Sequence, residues 1–312
     1  MRAPIHDVPS YGPFPEASVR RCLARLCKGS VRAYRRELGA CRRRLSRRSI
    51  HELRIAIRRL LICLRLLGAA QRAPAGVRSL LLLQLKALGG VRDTQVQLKL
   101  IEKGPLRGDA ALEPLRAHLR RRKHRRVKVA RRALESDKAL HRLQRWCPPL
   151  EGRDTRIIPR LRRLIDGMLR EALDSLASIL GSAHADPAAW HRTRVLSREC
   201  CYVVEALQPC WRGDQADELL SILRACHQGV GQVRDRDLLH RKMGRLVSDG
   251  RLEAAPTRRL GDMLQSEKAR WMKTFSLGDW RRSLEALLAR REISPGRTRR
   301  EPAGNFHRWP GR

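Results

Sequence analysis

The sequence predicts an all-α protein built from two copies of one helical unit, and three observations predict it. Apolar residues recur at the three-and-four spacing of amphipathic helices through most of the chain, while alternating β-branched and aromatic runs are hard to find. Breakers divide this periodic text into ten segments, five in each half. Short motifs of the first five segments return in the same order in the second five, at a nearly constant offset.

The first five segments are expected at about 16–45, 50–68, 77–103, 109–135 and 138–146, and the second five at about 155–181, 187–208, 214–248, 255–275 and 279–291. Between them lie Gly68 to Pro74, Gly104-Pro105, Cys147-Pro148-Pro149, His184 to Pro187, Gln208-Pro209 and Gly250 to Pro256. Within the third segment, Ser79 to Leu88 is the longest apolar stretch; Gln84 and Lys86 interrupt it. It is far short of the ~20 residues a bilayer needs and reads as a buried helix. Residues 1–15 lack an apolar core of the secretory kind and are expected to be a flexible N-terminus. Two helical bundles, 16–150 and 151–291, follow, and then a basic, disordered tail over 292–312 in which Phe306 and Trp309 could dock on the fold.

Composition limits the function. Of 312 residues, 68 are Lys or Arg against 31 Asp or Glu, a net charge of +37. Such an imbalance repels itself unless a polyanion or counterions screen it. A hydrophobic fraction of 42% excludes a wholly disordered basic protein of the protamine kind. Arginine outnumbers lysine 58 to 10; its planar fork suits phosphate oxygens, although an arginine-favouring genome would also raise the ratio. Nine cysteines, an odd number without a C-x-x-C pair, give neither a disulfide framework nor a zinc knuckle and fit a reducing cytoplasm. No metal-ligand spacing, phosphate-cradling GxxxxGK[ST] loop or G-x-S-x-G elbow occurs, so no catalytic residue, metal or cofactor is assigned.

The repeated motifs supply the candidate site. His51-x-x-Arg54-x-x-x-Arg58 returns as His191-x-x-Arg194-x-x-x-Arg198, 140 residues later, and Gly89-Gly-Val-Arg92-Asp93 as Gly231-Gln-Val-Arg234-Asp235, 142 later. On a helical wheel His51, Arg54, Arg58 and Arg65 share an arc of roughly 60°, opposite Leu53, Ile57, Leu60, Leu64 and Leu67. One face packs and the other presents guanidiniums. In the 109–135 segment, the densest in basic residues, Lys123 and Arg126 fall inside a stripe that includes Leu112, Leu115, Leu119 and Leu134. A cation there either snorkels to the rim or lines a wet channel, and the channel is the functional reading. Asp93 and Asp235 are expected to fix a guanidinium in place. Gly89 and Gly231 permit close helix packing or a kink. His51 and His191 are read as ring N–H donors to a phosphate oxygen in preference to local carboxylates.

These residues resemble the CHAD domain family. His51-Glu-Leu-Arg54-Ile-Ala-Ile-Arg58-Arg59-Leu with Leu88-Gly89-x-x-Arg92-Asp93 is similar to its first repeat. His191-x-x-Arg194-x-x-x-Arg198-x-x-x-Tyr202-x-x-Glu205 is similar to its second. The resemblance implies two pseudo-symmetric bundles around a basic central cavity or groove that binds inorganic polyphosphate, in the cytoplasm and on polyphosphate granules. It assigns the binding role to His51, Arg54, Arg58, Arg59, Arg65, Arg92, Lys123, Arg126, His191, Arg194, Arg198 and Arg234, with Asp93, Asp235, Tyr202 and Glu205 in support. Glu199 and Cys201 stand where the second repeat often carries further basic residues, which points to a weaker second half. The triphosphate-tunnel signature Glu-x-Glu-x-Lys that accompanies some relatives is absent. Two alternatives stay open. A nucleic-acid binder suits the charge, but aromatic residues are only 4%, which argues against stacking platforms. A phosphoryl-transfer or polyphosphate-hydrolysing enzyme would need carboxylates to hold Mg²⁺, and few acids lie near the basic rows.

Overall fold

The computed structural model describes residues 16–68, 75–103, 107–136, 138–145, 157–180, 187–208, 215–274 and 277–290. The expected flexible N-terminus, the basic tail with Phe306 and Trp309, and most of the breakers lie outside the described residues. Every regular element described is helical: α1 (Glu16–Arg43), α2 (Arg47–Gly68), α3 (Val77–Lys103), a 3₁₀ turn (Ala110–Leu112), α4 (Glu113–Glu135), α5 (Lys138–Arg145), α6 (Ile157–Leu180), α7 (Pro187–Leu207), α8 (Gln215–Ser248), α9 (Ala254–Thr274) and α10 (Leu277–Arg290). None described is long and apolar enough to cross a membrane.

The boundaries have local causes. α2 begins three residues before the expected position because Ser46 and Ser49 cap it reciprocally: Ser49 N–H donates to Ser46 Oγ at 3.0 Å and Ser46 N–H to Ser49 Oγ at 2.9 Å. The 109–135 segment divides. Asp109 caps the 3₁₀ turn through Ala111 N–H at 2.9 Å, and Pro114 then opens α4, where a missing donor costs nothing.

Four apolar clusters hold the helices together. One belongs to the first half, with Leu53, Ile57, Leu60, Leu88 and Leu134 among its members. Another belongs to the second half, around Trp190, Val230 and Val233. The remaining two straddle the halves. Leu23, Leu66 and Leu67 meet Leu169, Leu196, Val204 and Leu220 at one end; Leu98, Leu115 and Leu119 meet Leu239, Met243 and Leu246 at the other. A fully buried leucine contributes about 1.5–3 kcal/mol, so separating the halves would expose faces that carry much of the fold's stability. In α3, Gln84 is buried but donates no cost: its Oε1 accepts from Tyr34 Oη at 2.8 Å. The apolar run around it is not wholly buried, since Leu82 and Leu83 are 43% and 58% exposed. Its leucines outnumber the positions that one face of α3 can cover.

The described cysteines 22, 27, 41, 63, 200, 201 and 226 are free thiols. Burial pushes Cys200 up to about 12, which keeps it a protonated packing residue.

Candidate functional site

α2 and α7 pack against each other with their basic rows on the shared side. Their opposite faces are anchored: Leu53, Ile57 and Leu60 on α2, and Leu196, Cys200 and Val203 on α7, are buried. Each row thus has a fixed direction. Arg54, Arg58, Arg194 and Arg198 are half-buried, and each lies in the field of others: Arg54 in that of Arg198 and Arg194, Arg58 in that of Arg54 and Arg194. Burial first, and then neighbouring guanidiniums, push Arg198 down to about 9; Arg58 is its strongest charged neighbour. Burial and like charge likewise push Arg54 and Arg58 down to about 10. A guanidinium keeps its proton near neutrality, so these shifts express the free energy that confining four cations costs.

Two ion pairs pin the seam. Arg59 lies 3.5 Å from Glu205, and Arg65 lies 3.2 Å from Glu199. Positions 59 and 199 are 140 residues apart, and so are 65 and 205; the two pairs therefore exchange under the offset of the sequence motifs. Arg58 and Arg198 are related by the same offset. Glu205 also accepts from Arg224 at 2.8 Å, and the Arg59 guanidinium sits 6.0 Å from the centre of the Tyr202 ring. The paired residues contrast with Arg58, Arg194 and Arg198, which make no hydrogen bond or ion pair to a carboxylate among the described residues. Arg54 donates only to the Leu85 carbonyl, at 3.4 Å.

The glycines act as seats for arginines. A Cβ on Gly89 would stand 3.0 Å from Arg54 Nη1, and one on Gly231 would stand 3.1 Å from Arg194 Nε. On Gly90 it would meet Arg126 Cδ at 3.0 Å. Close helix packing is thus refined: the partner approaching each glycine is a guanidinium stem.

Beyond the seats lie the Arg-Asp motifs. Arg92, Arg234 and Asp235 are half-buried, and Asp93 is exposed. Burial raises Asp235 above the usual carboxylate range against the pull of Arg194 and Arg234. Asp93 and Asp235 bias the surrounding arginines through their fields, but among the described residues neither forms an ion pair with one. The expectation that they fix a guanidinium by direct contact is corrected. His51 and His191 are exposed; burial, and then Arg92 and Arg234 respectively, lower both, so each is a neutral ring with one N–H to donate.

Three other expectations change. Lys123 is exposed, whereas Arg122 is half-buried and Arg116 buried. The reason is that α4 bridges two cores, with Leu115 and Leu119 in one and Ala130 and Leu134 in another; the span between rests on Arg122 and Arg126 rather than on a continuous stripe. Arg59 and Arg65, expected as free cations, are paired with Glu205 and Glu199. Glu199 takes its place as half of an ion pair and Cys201 as a core residue, 5% exposed.

His227 is the residue sequence reasoning missed. It lies on α8 four residues before Gly231 and seven before Arg234, a spacing that places all three on one face. Burial, then Arg194 and Arg198, push it down to about 3. Among the described residues its buried Nδ1 has no partner, and neither have the buried Arg194 Nε and Arg198 Nε. Buried polar atoms without partners are rare, and these three gather at one place in the fold.

Residues 25–244 match the family model described as the CHAD domain. Among solved structures, the crystal structure of the CHAD domain from the plant Ricinus communis is similar over 92% of this chain and 96% of that one, with a TM-score of 0.68 and 19% identity. PptA from Streptomyces chartreusis is similar over 86% of this chain and 99% of its own, with a TM-score of 0.59 and 18% identity. Comparison with curated proteins by sequence finds no match.

Proposed function

The chain belongs to the CHAD domain family, and from that premise we propose that it binds inorganic polyphosphate at the α2–α7 seam without chemically altering it. The observation that carries the reading is the set of Arg54, Arg58, Arg194 and Arg198, held together by the fold yet without carboxylate contacts among the described residues. Cations confined at such a cost are stabilised by an anion, and orphaned Nε atoms are donors that an anion would satisfy. The two halves, related as copies about a pseudo-twofold passing between Arg58 and Arg198, would present their rows to one chain of phosphates in a common groove. Binding rests on charge: each phosphate neutralised releases counterions, so affinity falls with salt, by analogy with nucleic-acid backbones.

Polyphosphate is favoured over RNA or DNA because aromatic residues are only 4% of the chain and Tyr202 of α7 has Arg59 over its ring, which leaves little for bases to stack on. Binding without turnover is favoured because Glu199 and Glu205, the acids of α7 beside the rows, are held by arginines. A cytoplasmic location with recruitment to polyphosphate granules follows from the same reading. The test is competition: long-chain polyphosphate against RNA and DNA at matched phosphate concentration, with chain length followed in the presence and absence of Mg²⁺. Polyphosphate should displace both nucleic acids and emerge at its original length. Preferential retention of RNA or DNA overturns the ligand, and steady shortening overturns the binder.

A further inference from the structure

A second group of cations lies where α4 meets α8. The two helices are fixed by a common core of Leu115 and Leu119 with Leu239, Met243 and Leu246. Beside it stand Arg122, Arg125 and Arg126 of α4 and Lys242 and Arg245 of α8, close enough for the α4 arginines and Arg245 to act on Lys242. Burial, and then these guanidiniums, push the Lys242 ammonium down to about 8. Among the described residues none of the five makes a hydrogen bond or ion pair to a carboxylate. Arg120, on the same helix, does: Glu113 holds it at 2.9 Å and Glu102 lies at 3.9 Å. A further orphan marks the place, since His118 Nε2 is buried without a partner among the described residues and its ring lies in the field of Lys242 and Arg122.

This group continues the α2–α7 seam. Lys242 lies eight residues beyond Arg234 on the unbroken helix α8, about 12 Å along its axis. Arg126 rests on Gly90, two residues from Arg92, and Arg122 lies in the field of Asp93. Arg125, Arg126 and Arg245 are exposed and Arg122 and Lys242 half-buried, so the cations are open to a ligand. An extended row suits a linear polyanion, because a single small anion can neutralise only one or two of its members.

We propose that Arg122, Arg126, Lys242 and Arg245 form a second anion subsite, reached only by a phosphate chain long enough to extend from the α2–α7 seam to the α4–α8 seam. The inference rests on the polyphosphate reading and deepens it: the protein selects chain length. A short oligophosphate occupies the first seam alone, whereas a long chain gains the second at high effective concentration.

The experiment compares inorganic tripolyphosphate with long-chain polyphosphate on the full chain and on the double variant K242Q/R245Q. A charge-matched control, R258Q/R259Q, alters two exposed arginines of α9. The double variant should lose long-chain affinity by on the order of tenfold or more and leave tripolyphosphate affinity unchanged, while the control alters neither. Equal losses for both ligands, loss in the control as large as in the variant, or no loss at all overturns the second subsite and leaves the first seam standing. Failure of the unaltered protein to bind either ligand refutes the parent reading and this inference together. Helix content of the variant, read by circular dichroism, separates loss of the site from loss of the fold.

Discussion

Helices α4 and α9 hold corresponding places in the two halves, each packed beside the long helix that carries an Arg-Asp motif, yet they treat charge in opposite ways. α4 has ten basic residues against two acidic, and its Arg122 and Arg126 lack carboxylate contacts among the described residues. α9 has five against two. On its side Arg236 is held by Glu267 at 2.8 Å and Lys268 by Asp237 at 3.0 Å. Positions 126 and 268 are 142 residues apart, as are Gly90 and Gln232. Arg126 lies on Gly90, whereas Gln232 Oε1 accepts from Arg236 Nη1 at 2.9 Å. Arg236 and Lys268 are therefore held by carboxylates, whereas Arg122 and Arg126 are not among the described residues. The two helices thus differ in how the cations beside them are held.

The largest expected effect separates the two kinds of cation. R54A/R58A should weaken polyphosphate binding by about 3 kcal/mol or more if each arginine makes a charge-assisted contact of ~1.5–3 kcal/mol. Its melting temperature should hold or rise, because repulsion is relieved and alanine suits a helix. R236A/K268A should do the reverse. Arg236 is only 10% exposed on its side chain, so losing its bonds should cost ~2–3 kcal/mol of stability with little change in affinity. Titration of both variants with long-chain polyphosphate, beside thermal melts, checks this. Equal affinity losses would mean that total charge alone governs binding, and the contrast between paired and unpaired cations would fall.

Much of the fold was legible because helical periodicity and breakers are local signals: α3, α7 and α8 begin within one residue of expectation. The rows His51/Arg54/Arg58 and His191/Arg194/Arg198 were legible for the same reason, as a wheel fixes direction within one helix. What a neighbouring helix presents is not written in that helix. Arg65 reads as a free cation until Glu199 of α7 is placed 3.2 Å away. Lys123 reads as inward until α4 is seen to bridge two cores, which leaves it exposed and Arg122 half-buried. Lys242 carries no motif, and its meaning comes from the arginines that α4 brings to it.

A smaller effect tests whether the glycine seats set the comparison. G90Q gives the first half the residue that the second half has at the matching position. Its Cβ would crowd Arg126 Cδ at 3.0 Å, a contact that a flexible arginine relieves by moving away. Removing a glycine from a helix interior favours the fold by up to ~1 kcal/mol, while displacing Arg126 should lower long-chain affinity several-fold, about 1 kcal/mol. Tripolyphosphate affinity should not change. A variant that melts lower with unaltered affinity would show that Gly90 serves packing and that Arg126 has no part in binding.

The smallest effect concerns protons, and it distinguishes Lys242 from the arginines around it. Lys242 is pushed from 10.5 to about 8 by burial and then by Arg122, Arg245, Arg125 and Arg126. Between those two values the unfolded chain holds a proton that the folded chain has released, so stability contributed by this group rises with pH across the window. Binding has the opposite sign. A polyanion favours the ammonium, so affinity for a long phosphate chain should fall as pH rises through about 8, and complex formation near that pH should take up protons. Isothermal titration in two buffers of different ionisation enthalpy reads the uptake, and thermal melts of the free protein read the stability slope. K242Q should abolish both changes together. If the slope and the uptake persist in K242Q, another group titrates there, and the contrast between α4 and α9 has no proton switch at the α4–α8 seam.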